Sequence, residues 1–167
     1  HRARQPGTAV VFDMDHNEGT YAVAELLHTL FDQVVVLTPR ATIAEDVALV
    51  KIEGVHSWGC CAHCAMGCAA RTGKEIEVHQ PDGLTGEPVI VKTLGGYIAS
   101  IEPETAVAWF GKRKNAEGKF ASAGCFHQGF FVNEENLRKW VQQRPLETGE
   151  AITIEQSLRD KMVLSPA

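Results

Sequence analysis

The first fifty residues alternate between apolar runs and an amphipathic segment. The run TAVVFDMD (8–15) is apolar until its acidic end, and QVVVLTP (33–39) is a second apolar run that Pro39 ends. Between them, GTYAVAELLHTLF (19–31) carries apolar residues at helical spacing. A strand, a helix and a strand joined by short loops form a βαβ unit, so we expect the two strands to be parallel.

The remaining residues predict helices that flank several short strands. Residues 40–55 predict a helix that runs into a loop, and alanine-rich residues 60–70 predict a helix that Gly73 ends. The other expected elements are a hairpin over 74–94, at least one strand in 98–110, a strand over 124–132, a helix over 133–144 capped by Asn133, and a strand followed by a helix over 151–164.

This order of elements predicts a fold class of α/β to α+β. We expect the N-terminal βαβ unit to pack on a mixed sheet with flanking helices. The βαβ pattern ends near Lys51 and a cysteine-rich stretch follows, which suggests a βαβ segment over 1–50 and a second domain over 51–167. Two strands are too few for an independent domain, so a partner subunit or homo-oligomer contact through the N-terminal segment is a further expectation.

Composition narrows the classes of function. The chain has 167 residues, of which 44% are hydrophobic and 22% are charged, as in a globular protein with a real core. The net charge is −5 and the basic residues are scattered, which argues against nucleic-acid binding. No apolar run reaches the roughly 18 residues of a membrane-spanning helix. We therefore expect no membrane partner. The clustered cysteines favour metal or thiol chemistry over disulfides, which makes the cytoplasm the expected compartment.

The loop between the first strand and the first helix, DMDHNEG (13–19), allows three interpretations. VVFDMD resembles the opening of the haloacid dehalogenase superfamily, in which an aspartate after a buried strand acts as the nucleophile. Residues 8–50 also resemble a nucleotide-binding unit of flavoproteins related to trimethylamine dehydrogenase, which implies that Asp15 and Gly19 bind a cofactor such as FAD near a helix N-terminus. In the third interpretation, Asp15 or Asn17 only caps the helix.

Four of the five cysteines lie in GCCAHCAMGC (59–68). Clustered thiols in a chain of this length indicate metal or thiol chemistry more than a disulfide framework. If the helix begins at residue 60, Cys61, Cys64 and Cys68 line one face and Cys60 points elsewhere. Thiolates bind soft metals such as Hg(II), Zn(II) and Cu(I), or iron–sulfur clusters. The alternative is that these cysteines are small apolar side chains of the core.

Several motifs together resemble the alkylmercury lyase (organomercurial lyase) family. The resemblance covers about residues 54–164 and rests on motifs whose order and spacing follow that family: SWGCCAHC, LTGEPVIV, PETAVAW, GCFHQGFF and NEENLRKWV. It implies an enzyme that cleaves a carbon–mercury bond by protonolysis and requires no cofactor for lysis. The implied substrate is an organomercurial.

The resemblance also implies roles for individual residues. Cys61 and Cys125 match the two cysteines of the family that capture mercury, and Cys60 is a rival for the first of these two positions. Cys64 stands where the family has the aspartate that protonates the carbon, so a thiol takes the place of the usual acid. His63 and His127 are the alternative proton donors.

Three functions remain open at this point. The first is the lyase, with Cys61, Cys125 and Cys64 as catalytic residues. The second is a non-catalytic protein that binds Zn(II), Cu(I) or another soft metal ion through Cys61, Cys64, Cys68 and Cys125. The third is an iron–sulfur or flavin electron-transfer subunit of a larger complex, because CAHCAMGC follows a βαβ unit that resembles a nucleotide-binding one.

Overall fold

The computed structural model describes residues 4–13, 18–38, 48–114 and 116–163. These residues form eleven strands, four α-helices and one 3₁₀ helix, Cys125–His127. The strands are β1 Gln5–Phe12, β2 Phe31–Leu37, β3 Ala48–Ile52, β4 Val55–Gly59, β5 Glu75–Pro81, β6 Pro88–Leu94, β7 Tyr97–Glu102, β8 Val107–Lys114, β9 Phe120–Ser122, β10 Gln128–Phe131 and β11 Gly149–Ile152. The helices are α1 Glu18–Leu30, α2 Ala62–Thr72, α3 Glu134–Gln142 and α4 Ile154–Val163.

The βαβ unit forms as predicted. Strands β1 and β2 pair in parallel, and α1 connects them. Helix α1 packs on β4, where the ring of Tyr21 lies 5.4 Å from that of Trp58. Phe12 is 66% exposed on this unit, and Val10, Leu26 and Leu37 are also exposed, so the expected partner for this segment stays a prediction.

The α+β class is confirmed, but the strands beyond the βαβ unit do not form one mixed sheet. One group is an antiparallel five-stranded sheet of order β4-β3-β5-β6-β7. The other is an antiparallel sheet of order β10-β8-β11, in which β9 also pairs with β8. Among the described residues, no helix is long and apolar enough to cross a membrane. The division of the chain at residue 50 stays a prediction, and β3 spans that position.

Two predicted elements differ from the structure. The helix expected over 40–55 is wrong for residues 48–52, which form β3 and turn into β4 through Glu53 and Gly54, while 39–47 lie outside the described residues. Both turn residues have positive φ, 50° and 80°, as a two-residue hairpin turn requires. The strand expected over 124–132 is shorter, because residues 125–127 form the 3₁₀ helix and only Gln128–Phe131 pair with β8.

Helix α2 packs against both antiparallel sheets and against α4. It ends at Gly73, as predicted, with φ at 64°. Its inner face consists of Ala62, Ala65, Met66 and Ala69, all fully buried. Small side chains let the helix approach the valines and isoleucines of the five-stranded sheet closely, and this contact forms the main core.

The carboxylate of Asp82 connects the five-stranded sheet to the end of β10. Asp82 is 3% exposed, and its Oδ1 accepts hydrogen bonds from the backbone N–H of Leu84 (2.7 Å) and Thr85 (2.9 Å). Its Oδ2 accepts from the backbone N–H of Val132 (2.7 Å) and from Nδ2 of Asn136 (3.1 Å). One buried anion therefore holds a turn, the end of a strand and the start of α3 together.

We predict that Asp82→Ala lowers the free energy of unfolding by about 3 kcal/mol, because it leaves buried donors without an acceptor. Urea unfolding followed by circular dichroism measures this change. The matched control is Glu104→Ala, which removes an exposed carboxylate from a turn and should have little effect. Equal stability of the two variants would contradict the role assigned to Asp82.

Candidate functional site

Three cysteines lie at the N-terminal end of α2. The helix begins at Ala62, and Cys61 is its N-cap residue, with extended backbone and a thiol that accepts a hydrogen bond from the backbone N–H of Cys64 at 3.4 Å. Cys64 is in the first turn. Cys60 precedes the cap, so its direction does not follow the helical periodicity.

Cys125 reaches the same place from a distant part of the chain. It opens the 3₁₀ helix that leads into β10. This turn packs closely on Gly111 of β8, since a Cβ at Gly111 would lie 2.3 Å from the backbone oxygen of His127. The His127 ring is held in turn by Glu147, whose two carboxylate oxygens both lie 2.8 Å from Nδ1.

The sulfur atoms of Cys60, Cys61, Cys64 and Cys125 all lie within 4.8 Å of one another, and we call these four residues the thiol group. The Sγ of Cys125 is 3.3 Å from that of Cys60 and 3.7 Å from that of Cys64. None of the four cysteines forms a disulfide. Cys61 is buried and the other three are half-buried, so the group has a closed side and an open side.

Hydrogen bonding divides the protons unequally within the thiol group. The pKa of Cys125 is lowered from 9.0 to about 7, and the main cause is its hydrogen bond with Cys61. A hydrogen bond with Cys60 acts in the same direction, whereas burial opposes both. The bond between Cys61 and Cys125 raises the pKa of Cys61 far above its ordinary value, followed by bonds to Cys60 and Cys64 and by burial. Near neutral pH a large share of Cys125 is therefore present as thiolate, stabilised by a protonated Cys61.

The structure brings together three of the four cysteines that the sequence suggested as metal ligands. Cys68 is exposed and is not in the thiol group. The prediction that Cys60 points elsewhere is wrong, because α2 begins two residues later than assumed. The signal for Cys60 in the sequence is the adjacent pair Cys60-Cys61. With Cys61 as the N-cap residue, Cys60 lies before the helix and can turn toward the same site.

The structure describes one of the two residues suggested for a nucleotide. Asp15 lies outside the described residues, and Gly19 lies in the first turn of α1, exposed. The buried carboxylate at the end of β1 belongs to Asp13, which accepts hydrogen bonds from the hydroxyls of Tyr21 (3.3 Å) and Thr38 (2.9 Å). These contacts tie the two strand ends to α1.

Within the described residues, the thiol group contains sulfur ligands alone. His63 is buried, with its ring 5.6 Å from that of Phe110, and His127 is paired with Glu147. Neither imidazole belongs to the group. The chemistry available at the group itself is therefore that of thiols and thiolates: soft-metal binding and thiol proton transfer.

Comparison with known proteins points to one family. A family model described as alkylmercury lyase matches residues 42–160. The alkylmercury lyase of Bacillus cereus is 25% identical over 104 residues, which is 62% of this chain and 46% of that protein. The alkylmercury lyase of Clostridium butyricum gives the same values. The chain spans about half the length of the curated relatives that it matches.

A solved structure shares the fold. The crystal structure of the mercury-bound form of MerB2 superposes with a TM-score of 0.60 at 24% sequence identity. The match covers 70% of this chain and 56% of that one. At this identity the likeness describes the fold alone.

We predict that Gly111→Ala displaces the turn that carries Cys125, because the new methyl group would overlap the backbone of His127. The overlap should lower the free energy of unfolding by about 2 kcal/mol. It should also slow the formation of a Cys60–Cys125 disulfide when the protein is treated with the oxidant diamide. Urea unfolding and peptide mapping measure both effects. Gly129→Ala is the matched control, since its nearest contact would be 3.9 Å away. Normal disulfide formation in Gly111→Ala would refute the prediction.

We also predict that Cys125 reacts as a thiolate near neutral pH. Its rate of alkylation by iodoacetamide should rise with pH to a midpoint near 7 and not near 9.0, because only the thiolate is nucleophilic. Mass spectrometry of the Cys125 peptide gives this rate. Cys61→Ala should move the midpoint to higher pH, whereas Cys68→Ala should leave it in place; an unchanged midpoint in Cys61→Ala would contradict the assigned hydrogen bond.

Proposed function

The chain belongs to the alkylmercury lyase family, and from this premise we propose that it cleaves the carbon–mercury bond of organomercurials through its thiol group. The observation that carries the proposal is the close approach of Cys61, Cys64 and Cys125 within one group of sulfur atoms. These are the residues that the family resemblance implicates in mercury capture and protonation. Cys61 and Cys64 lie together at the start of α2, whereas Cys125 lies 61 positions after Cys64 and on a separate element.

Capture begins at Cys125. A compound RHg⁺ is a soft electrophile, and a thiolate is the soft nucleophile that binds it. Cys125 is the thiol whose pKa is lowered, to about 7, so it supplies this thiolate at neutral pH. Its sulfur forms a bond to mercury and gives the neutral adduct R–Hg–S–Cys125.

Cleavage then uses a second thiol. Cys61 keeps its proton because its hydrogen bond to Cys125 and its burial raise its pKa. As the Cys61 sulfur binds mercury, the carbon–mercury bond breaks and the thiol proton ends on carbon. The products are RH and Hg(II) held by two thiolates, so atoms and charge balance without any further acid.

Cys64 is the proposed relay for this proton. It occupies the position at which the family resemblance implies an aspartate, and its Sγ lies 3.7 Å from that of Cys125. Its backbone N–H also contacts the Cys61 sulfur. In one concerted step, a thiol at this point can give its own proton to the carbon and take the Cys61 proton in its place, which is the role of a general acid.

A second candidate is soft-metal binding without turnover. The observation that favours it is that the thiol group holds four sulfur ligands, two more than the capture of RHg⁺ requires. Both functions use the same residues, so the measurement of a cleavage product distinguishes them.

The test is the release of benzene from a phenylmercury salt by reduced protein under anaerobic conditions. We expect benzene from the wild-type protein and a loss of at least about 100-fold in Cys61→Ser, Cys125→Ser and Cys64→Ala, as for removal of a nucleophile or a general acid. The exposed Cys68 supplies the control, because Cys68→Ser removes a thiol outside the thiol group.

Three results would count against the proposal. Absence of benzene from the wild-type protein with tight phenylmercury binding would favour the non-catalytic candidate. An equal loss of benzene release in Cys68→Ser would mean that cleavage depends on the number of thiols and not on the thiol group. Full activity in Cys64→Ala would remove Cys64 from proton transfer.

A further inference from the structure

The thiol group contains one cysteine, Cys60, that the proposed reaction does not use. Cys60 is half-buried, and its Sγ lies 3.3 Å from that of Cys125, the shortest sulfur contact described in the group. A capture site for RHg⁺ uses two sulfurs, and the proposed relay uses a third. The position of the fourth sulfur therefore needs its own physical explanation.

The spacing of the sulfur atoms suits a tetrahedral ion. With Zn–S bonds of about 2.3 Å, neighbouring sulfurs of a ZnS₄ unit lie about 3.8 Å apart. The Sγ of Cys125 lies 3.3 Å from that of Cys60 and 3.7 Å from that of Cys64, and all four sulfurs lie within 4.8 Å of one another. Small rotations of the side chains would thus place all four sulfurs at bonding distance from one central ion.

The local charges also suit a tetrathiolate. Three of the four cysteines lie at the N-terminal end of α2, an 11-residue helix with no acidic residue in its first turn. The positive end of the helix dipole favours the net negative charge that four thiolates around Zn(II) would carry. Cys61 and Cys64 form a C-x₂-C pair, a spacing common in structural zinc sites.

We propose that Cys60, Cys61, Cys64 and Cys125 bind one Zn(II) ion as a tetrathiolate. The ion replaces the thiol protons, which leave to solvent, and no oxidation is involved. The inference deepens the proposed function because both use the same thiols: protein loaded with zinc cannot capture RHg⁺ until the ion leaves. Zinc would therefore regulate access to the site.

Zinc binding to the reduced, metal-free full chain tests this inference, with Co(II) as a spectroscopic probe. We expect one Zn(II) per chain by native mass spectrometry, an X-ray absorption fit with four sulfurs at about 2.3 Å, and the visible bands of tetrahedral Co(II) on cobalt addition. Cys60→Ser should weaken zinc binding by about 100-fold, since it removes one of four ligands. Cys68→Ser should bind as the wild-type protein does.

Several results would overturn it: no bound zinc, a fit with nitrogen or oxygen in place of sulfur, or equal weakening in Cys60→Ser and Cys68→Ser. Thermal unfolding of both metal-free variants checks that Cys60→Ser is folded. No organomercurial is present in these experiments. A failure of zinc binding is therefore distinguishable from a failure of carbon–mercury cleavage, which the benzene assay reports alone.

Discussion

The close packing of α2 is the constraint on which the site depends. The helix contacts both antiparallel sheets and α4, and alanines at Ala62, Ala65 and Ala69 let it lie close to them. A larger side chain at any of these positions would push the helix away from the core. Because Cys61 and Cys64 begin this helix, its position also decides where two thiols stand relative to Cys125.

The turn at Cys125 completes this arrangement through a second close contact. Gly111 leaves room for the backbone of His127, and β10 then runs along β8 to the Asp82 carboxylate. Side chains on a packed helix and on a turn held from both ends keep their positions better than side chains on free loops. The thiols are consequently preorganised, and their hydrogen bond lowers the pKa of Cys125 while it raises that of Cys61.

Local patterns predicted most of the elements correctly. The βαβ unit, α2 with its stop at Gly73, the β5–β6 hairpin and α3 with its Asn133 cap all follow from periodicity and capping residues. The β3–β4 hairpin was missed, because a short apolar run such as ALVKI fits a helix or a strand equally well until its neighbours are known. Pairing of β3 with β5 settles that choice.

The chemistry of the site is already visible in the sequence, in its clustered thiols, a C-x₂-C pair at a helix start, a distant fifth cysteine and the motifs of one family. Which cysteines meet depends on the packing of the folded chain. It brought Cys60 into the thiol group and left Cys68 exposed, and it placed Cys125 beside a residue 65 positions away. Local periodicity carries no information on such contacts, because they arise from the packing of separate elements against a common core.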